Sequence, residues 1–271
     1  MMKVINNLEN IYPEETLRYC NWERFSEKAI DCVFFNAGPQ NIEYPQPVPK
    51  YLLYFEEQTW ERDTTSLCAP YVDKIFTILN PNISGRYEKR QSVFYPTNKE
   101  VTELAIKNTE KKYDAIYTGF AGGNHVAKIL NGITKFNYRW VSFSNDSRAT
   151  NRNISYFEKL KLIAESKIDV CHGLVGNGTP QTKSRYFEAA FCKSLNLMHK
   201  DQWNCIEEWF VPNEDFIYFE TEDELCDLIK DVSLNYNKYV PIVESAYNKA
   251  IKEYTTEAFV RKYIGFKDEQ K

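Results

Sequence analysis

Histidine, glycine and proline are scarce in this chain: of 271 residues, 3 are His, 10 are Gly and 11 are Pro. So little Gly and Pro excludes a collagen-like or low-complexity chain. Long apolar runs are also missing. The longest, such as 30–37, are strand-length, well short of the roughly 20 residues a membrane-crossing helix needs. Residues 1–10 carry acidic and amide side chains and no apolar run, so neither a signal peptide nor a membrane anchor is expected there. No sign of charge dominates. The 34 basic and 38 acidic residues leave a formal net charge of −4, which does not fit a strongly basic nucleic-acid binder. The seven cysteines (Cys20, Cys32, Cys68, Cys171, Cys192, Cys205 and Cys226) form no C-x-x-C pair. Odd in number and scattered, they read as free thiols of a reducing, cytoplasmic compartment, not as a disulfide frame or a zinc site.

Aromatic residues are plentiful. At 15% of the chain they supply ample surface to bury, which excludes intrinsic disorder. The length accommodates one large domain or two small ones. Apolar runs at 32–35, 51–55, 72–79 and 92–95, bounded by Gly, Pro and Asn, read as buried strands, with helices expected at 14–27 and 63–70. Residues 98–112 form a charged pattern with little apolar surface, a connector helix. A regular alternation follows. Strands are expected at 113–117, 138–143, 168–175, 195–198 and 216–219. Helices are expected at 126–132, 154–166, 183–193, 236–252 and 256–263, and one more opens at the capping box Thr221-Glu222-Asp223-Glu224. This alternation predicts an α/β fold: parallel sheets with helices on both faces, in two halves divided at 112/113.

Two segments suit an anionic ligand. Gly119, Gly122 and Gly123 lie between a strand and a helix, followed by Asn124 and His125. Such a loop brings backbone N–H groups and a helix N-terminus to a phosphate, or simply makes a tight turn. It is not G-x-G-x-x-G, although Asp146 follows at a distance suited to a ribose; this keeps an NAD-dependent oxidoreductase as an alternative. The second segment runs from Thr179 through Lys183 and Arg185 to Glu188, after a strand and Gly176-Asn177-Gly178. Cations at a helix N-terminus oppose its dipole, so Lys183 and Arg185 there call for an anionic partner such as a diphosphate. Glu188, one turn on, suits ribose hydroxyls or pairs with Lys183 or Ser184. His172 lies inside an expected strand and His199 at the end of another. Trp203 and Trp209 are sugar-stacking candidates, with burial the commoner fate of Trp.

Arg185-x-Phe187-Glu188-Ala189-Ala190-x-Cys192-Lys193-Ser194-Leu195 resembles the R-x-x-E-A-x-A-x-G segment in the second domain of GT-B glycosyltransferases, exostosin-like and spore-maturation-like enzymes including small ones of large DNA viruses. Residues 157–168 and 213–225 are similar to the units flanking it. Lys193 or Ser194 stands where that family has glycine. The resemblance covers about 113–264 and implies two Rossmann-like domains facing a cleft, with residues 1–112 binding the acceptor and 113–271 the nucleotide sugar. It implies transfer from a nucleoside-diphosphate donor, a UDP-sugar with UDP-xylose among the candidates, to a glycan or glycoprotein hydroxyl, with inversion preferred. Gly122, Gly123, Asn124, His125, Thr179, Lys183, Arg185 and Glu188 would hold the donor. Glu57, then Glu56, would be the base. The chain has no D-x-D triplet, so neither a metal nor another cofactor is expected. A non-catalytic nucleotide- or sugar-binding α/β protein is the remaining alternative.

Overall fold

A computed structural model of the chain describes residues 33–36, 50–54, 73–78, 90–142, 144, 146–175 and 178–264. The helices expected at 14–27 and 63–70 lie outside these residues, as do Glu56 and Glu57. Contacts divide the chain into two units, Met1–Asn98 with Thr256–Lys271, and Lys99–Thr255. The sequence expectation put a single division at 112/113; here the charged helix after 98 groups with the second unit and the end of the chain with the first.

The first unit contains a parallel four-stranded sheet in the order β1 (Val33–Asn36), β2 (Lys50–Tyr54), β3 (Lys74–Thr77), β4 (Arg90–Ser92). Ile75, Phe76, Ile78, Val93 and Phe94 are buried. Phe259 and Tyr263 pack on Phe76 and Phe94 with ring centroids 5.6–5.8 Å apart.

The second unit is a six-stranded sheet whose strand pairs are all parallel: β5 (Tyr113–Thr118), β6 (Tyr138–Ser142), β7 (Asn151–Arg152), β8 (Ser166–His172), β9 (Leu195–His199) and β10 (Ile217–Phe219). Its helices are α1 (Lys99–Ile106), α2 (Asn124–Ile133), α3 (Tyr156–Ala164), α4 (Ser184–Phe191), α5 (Glu222–Leu234) and α6 (Tyr236–Glu253). Period-two alternation on β8 sends Ile168, Val170 and His172 to one face and Asp169 and Cys171 to the other. On the first face Ala115, Tyr117, Ile168, Val170, Leu195 and Leu197 share a core with Val126, Ile129 and Ile133 of α2 and Leu225, Ile229 and Val232 of α5. On the other, α1 packs on α3, and α3 on α4. The helices therefore cover both faces, as the alternation predicted.

Local chemistry explains where the helices stop and start. Thr221 Oγ1 accepts from Glu224 N at 3.1 Å and Glu224 Oε2 accepts from Thr221 N at 3.3 Å, the expected capping box; Ser155 and Glu158 form a second one on α3. After α4, Lys193 takes a left-handed φ of 54°. This is the place of the glycine in the resembled motif. A left-handed lysine there costs ~1 kcal/mol, and its ammonium is held by Glu244 at 2.8 and 2.9 Å. No helix among the described residues is long and apolar enough to cross a membrane.

The strand order is β10-β9-β8-β5-β6-β7. The chain enters at the middle with β5 and moves outward to β7. It then returns to β8 on the other side of β5 and moves outward to β10. Connections leave β5 and β8 in opposite directions, which opens a crevice at their carboxyl ends; in parallel sheets this is the position where ligands bind.

Candidate functional site

The loop after β5 is held from both sides. Gly119 N donates to Val141 O at 2.9 Å, and Trp140 Nε1 donates to Gly119 O at 2.9 Å. Gly119 has a φ of 152°, and a Cβ built there would lie 2.9 Å from Tyr117 Oη and 3.0 Å from Arg185 Nη1, so only glycine fits. Tyr117 Oη in turn donates to Phe120 O at 3.1 Å, while the Phe120 ring is exposed. Gly123 begins α2 at φ 86° with no side-chain cap, leaving the first-turn N–H groups of this ten-residue helix at the crevice. Gly122 is not required by crowding: nothing lies within 4 Å of a Cβ built there.

The loop after β8 arrives beside it. Gly173 O accepts from Gln181 N at 2.7 Å, Thr179 O accepts from Val175 N at 2.9 Å, and Leu174 and Pro180 bridge in antiparallel fashion, which folds the loop back before α4 starts. Lys183 is the extended N-cap of α4 and makes no side-chain cap bond; its ammonium donates to Gln181 Oε1 at 2.6 Å. Arg185, in the first turn, turns back across the sheet edge. Its Nη1 donates to Thr118 O at 2.6 Å, its Nη2 donates to His172 Nε2 at 3.2 Å, and its guanidinium carbon lies 5.2 Å from the Tyr117 ring centre. These contacts satisfy one edge of a planar fork of donors and leave further N–H groups for an anion.

Arginine only donates, so His172 Nε2 must accept, and the ring is neutral with its proton on Nδ1. Burial, then Arg185, Lys183 and His125, hold His172 well below the usual histidine range. The His125 ring stands edge-on to it at 4.5 Å. Burial and the neighbouring His199, Arg185 and Lys183 lower His125, and burial and Lys128 lower His199. All three histidines of the chain therefore stand on one sheet edge: at the start of α2, the end of β8 and the end of β9.

Sequence reasoning placed Arg185, Lys183, His125 and the glycine loop here, and the structure brings them together. Thr179 is buried in the loop and Asn124 is exposed at the start of α2. Glu188 does not join them. Its carboxylate is fully buried below the edge, 2.9 and 2.7 Å from Lys159 Nζ of α3, neither Lys183 nor Ser184 being the partner. Asp146, the acid on which a dinucleotide reading depends, is gripped by Arg148 at 3.0 and 2.7 Å, which pulls it down to about 2. Trp209 is buried and donates to Thr182 Oγ1 at 3.1 Å, so it belongs to the packing of α4. Tyr117 and His172 were not singled out as ligand-handling residues; their places as the penultimate residue of β5 and the last of β8 were the available signal. Asp169 was also missed. It is buried on the opposite face of β8 with no hydrogen-bond partner for either oxygen, and burial, only partly offset by Arg185, lifts it to about 8. Among the described residues no group of three His, Cys, Asp or Glu is arranged to hold a metal.

Residues 121–265 match the protein family described as glycosyl transferase-like. No curated protein matches the chain. Several solved structures share its fold. A mutant of S. aureus TarM, solved with fondaparinux, α-GlcNAc-glycerol and UDP, is similar at a TM-score of 0.58 and 11% identity, covering 90% of this chain and 57% of TarM. Anabaena HepE with UDP-glucose gives 0.59 and 10%, covering 87% and 78%. The pneumococcal O-GlcNAc transferase GtfA with UDP and GlcNAc gives 0.57 and 10%, covering 89% and 57%. The chain thus spans 57% of the length of TarM and of GtfA. At these identities the likeness is one of fold.

Proposed function

Because the chain belongs to the glycosyl transferase-like family, we propose that it moves a sugar from a nucleoside-diphosphate donor to a hydroxyl group of a glycan or glycoprotein. The observation that carries this reading is Arg185, half-buried at the switch point of the second sheet beside the uncapped start of α2. A departing nucleoside diphosphate develops negative charge as the sugar becomes oxocarbenium-like. A fixed guanidinium and a helix N-terminus aimed at that charge stabilise it without reorganising. Charge neutralisation of this kind is the basis for proposing a reaction that needs no divalent metal.

A UDP-sugar is the preferred donor. HepE was solved with UDP-glucose and GtfA with UDP and GlcNAc, and both share the fold. UDP-xylose is one candidate among these donors, taken from the exostosin-like resemblance. The same reading assigns the donor to residues 113–271 and the acceptor to 1–112, with inversion at the anomeric carbon and Glu57, then Glu56, taking the acceptor proton. Lys183, Thr179, Asn124, His125, Gly122 and Gly123 would complete the donor's surroundings. Glu188 stays in the proposal as the support that fixes α4.

A thermal-shift screen against nucleotide sugars, with released UDP measured alongside, tests the reading. A ligand at about a hundred times its Kd adds about 2.7 kcal/mol to the folded state. One UDP-sugar is expected to raise Tm and, with a glycan acceptor, to release UDP. Protection by no nucleotide sugar contradicts the proposal. Glu57→Gln is expected to lower turnover by orders of magnitude and spare donor binding; full activity in that variant removes the residue from the base role.

A further inference from the structure

His172 and His125 touch, yet their surroundings differ. The Nε2 lone pair of His172 faces Nη2 of Arg185 at 3.2 Å. A proton there would set two cations against each other, so His172 is fixed as a neutral acceptor. His199 packs edge-on against Phe219 at 5.4 Å, at the end of β9. His125 is in the first turn of α2 and half-buried, with its Nε2 shut away from solvent and lacking a hydrogen-bond partner. The charged and titratable groups around it come from every side. β8 presents His172, the start of α4 presents Arg185 and Lys183, and the end of β9 presents His199 and Asp201. Lys128 lies three residues on along its own helix. Cations and imidazoles outnumber the single carboxylate, so His125 stays neutral while the site holds no anion. A dianionic diphosphate at the start of α2 reverses that balance. It brings two negative charges to a ring that the protein has kept uncharged, in surroundings where Coulomb interactions are stronger than in water.

We infer that His125 receives the donor's diphosphate as an imidazolium, so that one proton enters the site with each donor molecule and pH sets donor affinity. This deepens the donor reading above and rests on it. The balance is simple: neutral His125, a solvent proton and the diphosphate combine, and no covalent bond changes. The sign follows from linkage. In the free protein His125 titrates below the usual ~6.5, and in the complex it titrates above that value. Between the two midpoints the complex holds one proton more than the free protein, so affinity falls about tenfold for each pH unit of increase across that window. Below the lower midpoint affinity is independent of pH.

Calorimetric titration with UDP-glucose, in buffers of different ionisation enthalpy at about pH 7, reads the proton count. UDP-glucose is the right probe because its diphosphate is a diester, whereas the terminal phosphate of UDP would itself titrate near ~6. The wild type is expected to take up protons on binding, up to one per site between the two midpoints. His125→Gln is expected to bind more weakly, with no proton uptake and an affinity that no longer varies with pH. Binding without a buffer-dependent enthalpy, or uptake unchanged in His125→Gln, overturns the inference alone. Absence of binding by UDP-glucose and UDP-xylose alike to the wild type at any pH overturns the inference together with the UDP-sugar reading. If His125→Gln does not fold, the ring NMR signals of the three wild-type histidines answer the same question. One midpoint is expected to rise when UDP-glucose is added, and three unchanged midpoints would overturn the inference.

Discussion

A single methyl group at Gly119 would collide with both groups that hold the crevice, the Tyr117 hydroxyl at 2.9 Å and Arg185 Nη1 at 3.0 Å, and would force a side chain onto a φ of 152°. Gly119→Ala is therefore expected to cost about 1–3 kcal/mol of stability and to displace Arg185, which a fall in both Tm and UDP affinity would register. Arg185→Ala is expected to weaken nucleotide binding by roughly 30-fold, the consequence of removing one partner from a partly buried charge contact. Asp169 makes a prediction of opposite sign. Its folded value, about 8, lies above the unfolded value of 3.8, so between them the folded state carries the extra proton and stability declines as pH rises from about 4 to about 8. Asp169→Asn, which carries no charge, is expected to raise Tm most at about pH 8.5 and by progressively less as pH falls toward about 4; equal Tm values at the higher pH would contradict this. Arg185 and Lys183 were legible in the sequence because cations at a helix N-terminus conflict with the dipole. Tyr117 and His172 were not. Each alternates with core residues along a strand, and only the fold shows that they stand at the strand's last positions.

Helices α3 and α4 are joined by the buried Lys159–Glu188 pair, whose side chains are 5% and 0% exposed. Glu188→Gln leaves the ammonium uncompensated and is expected to lower stability by about 3–5 kcal/mol. Joint replacement by Lys159→Met and Glu188→Leu is expected to restore most of it, since apolar pairs often match buried ion pairs. Equal stability of Glu188→Gln and wild type in denaturant unfolding would show that the pair does not hold the helices. At the other end of the sheet Lys111 Nζ donates to the carbonyls of Ala164, Ser166 and Lys193 at 2.7–2.8 Å. It ties the ends of α3 and α4 to the start of β8. None of these long-range partners is legible in the sequence, because Lys159 and Lys111 occupy positions that read as solvent-facing in a charged helix and linker. Existence and type of most elements were legible from apolar period, Gly and the capping box at Thr221. Strand order was not, because parallel strands buried on both faces have similar compositions and nothing local marks which neighbour each one takes.

At the scale of the whole chain, the near-zero net charge takes on a meaning that composition alone did not give it. The positive groups that matter are Arg185, Lys183 and the start of α2, gathered at one sheet edge, so an anion site needs no basic surface. Family membership rests on residues 121–265, which contain Lys183, Arg185 and the start of α2. The central claim is that the carboxyl ends of β5 and β8 receive a nucleoside diphosphate. Amide hydrogen exchange of the full chain, with and without saturating UDP, tests it most directly. The first-turn amides of α2, at Asn124, His125 and Val126, lack intrahelical partners and exchange readily unless something covers them. UDP is expected to slow exchange there and over 183–186, at the start of α4. Bound UDP that leaves both segments unchanged, and protects other parts of the chain, would contradict the account.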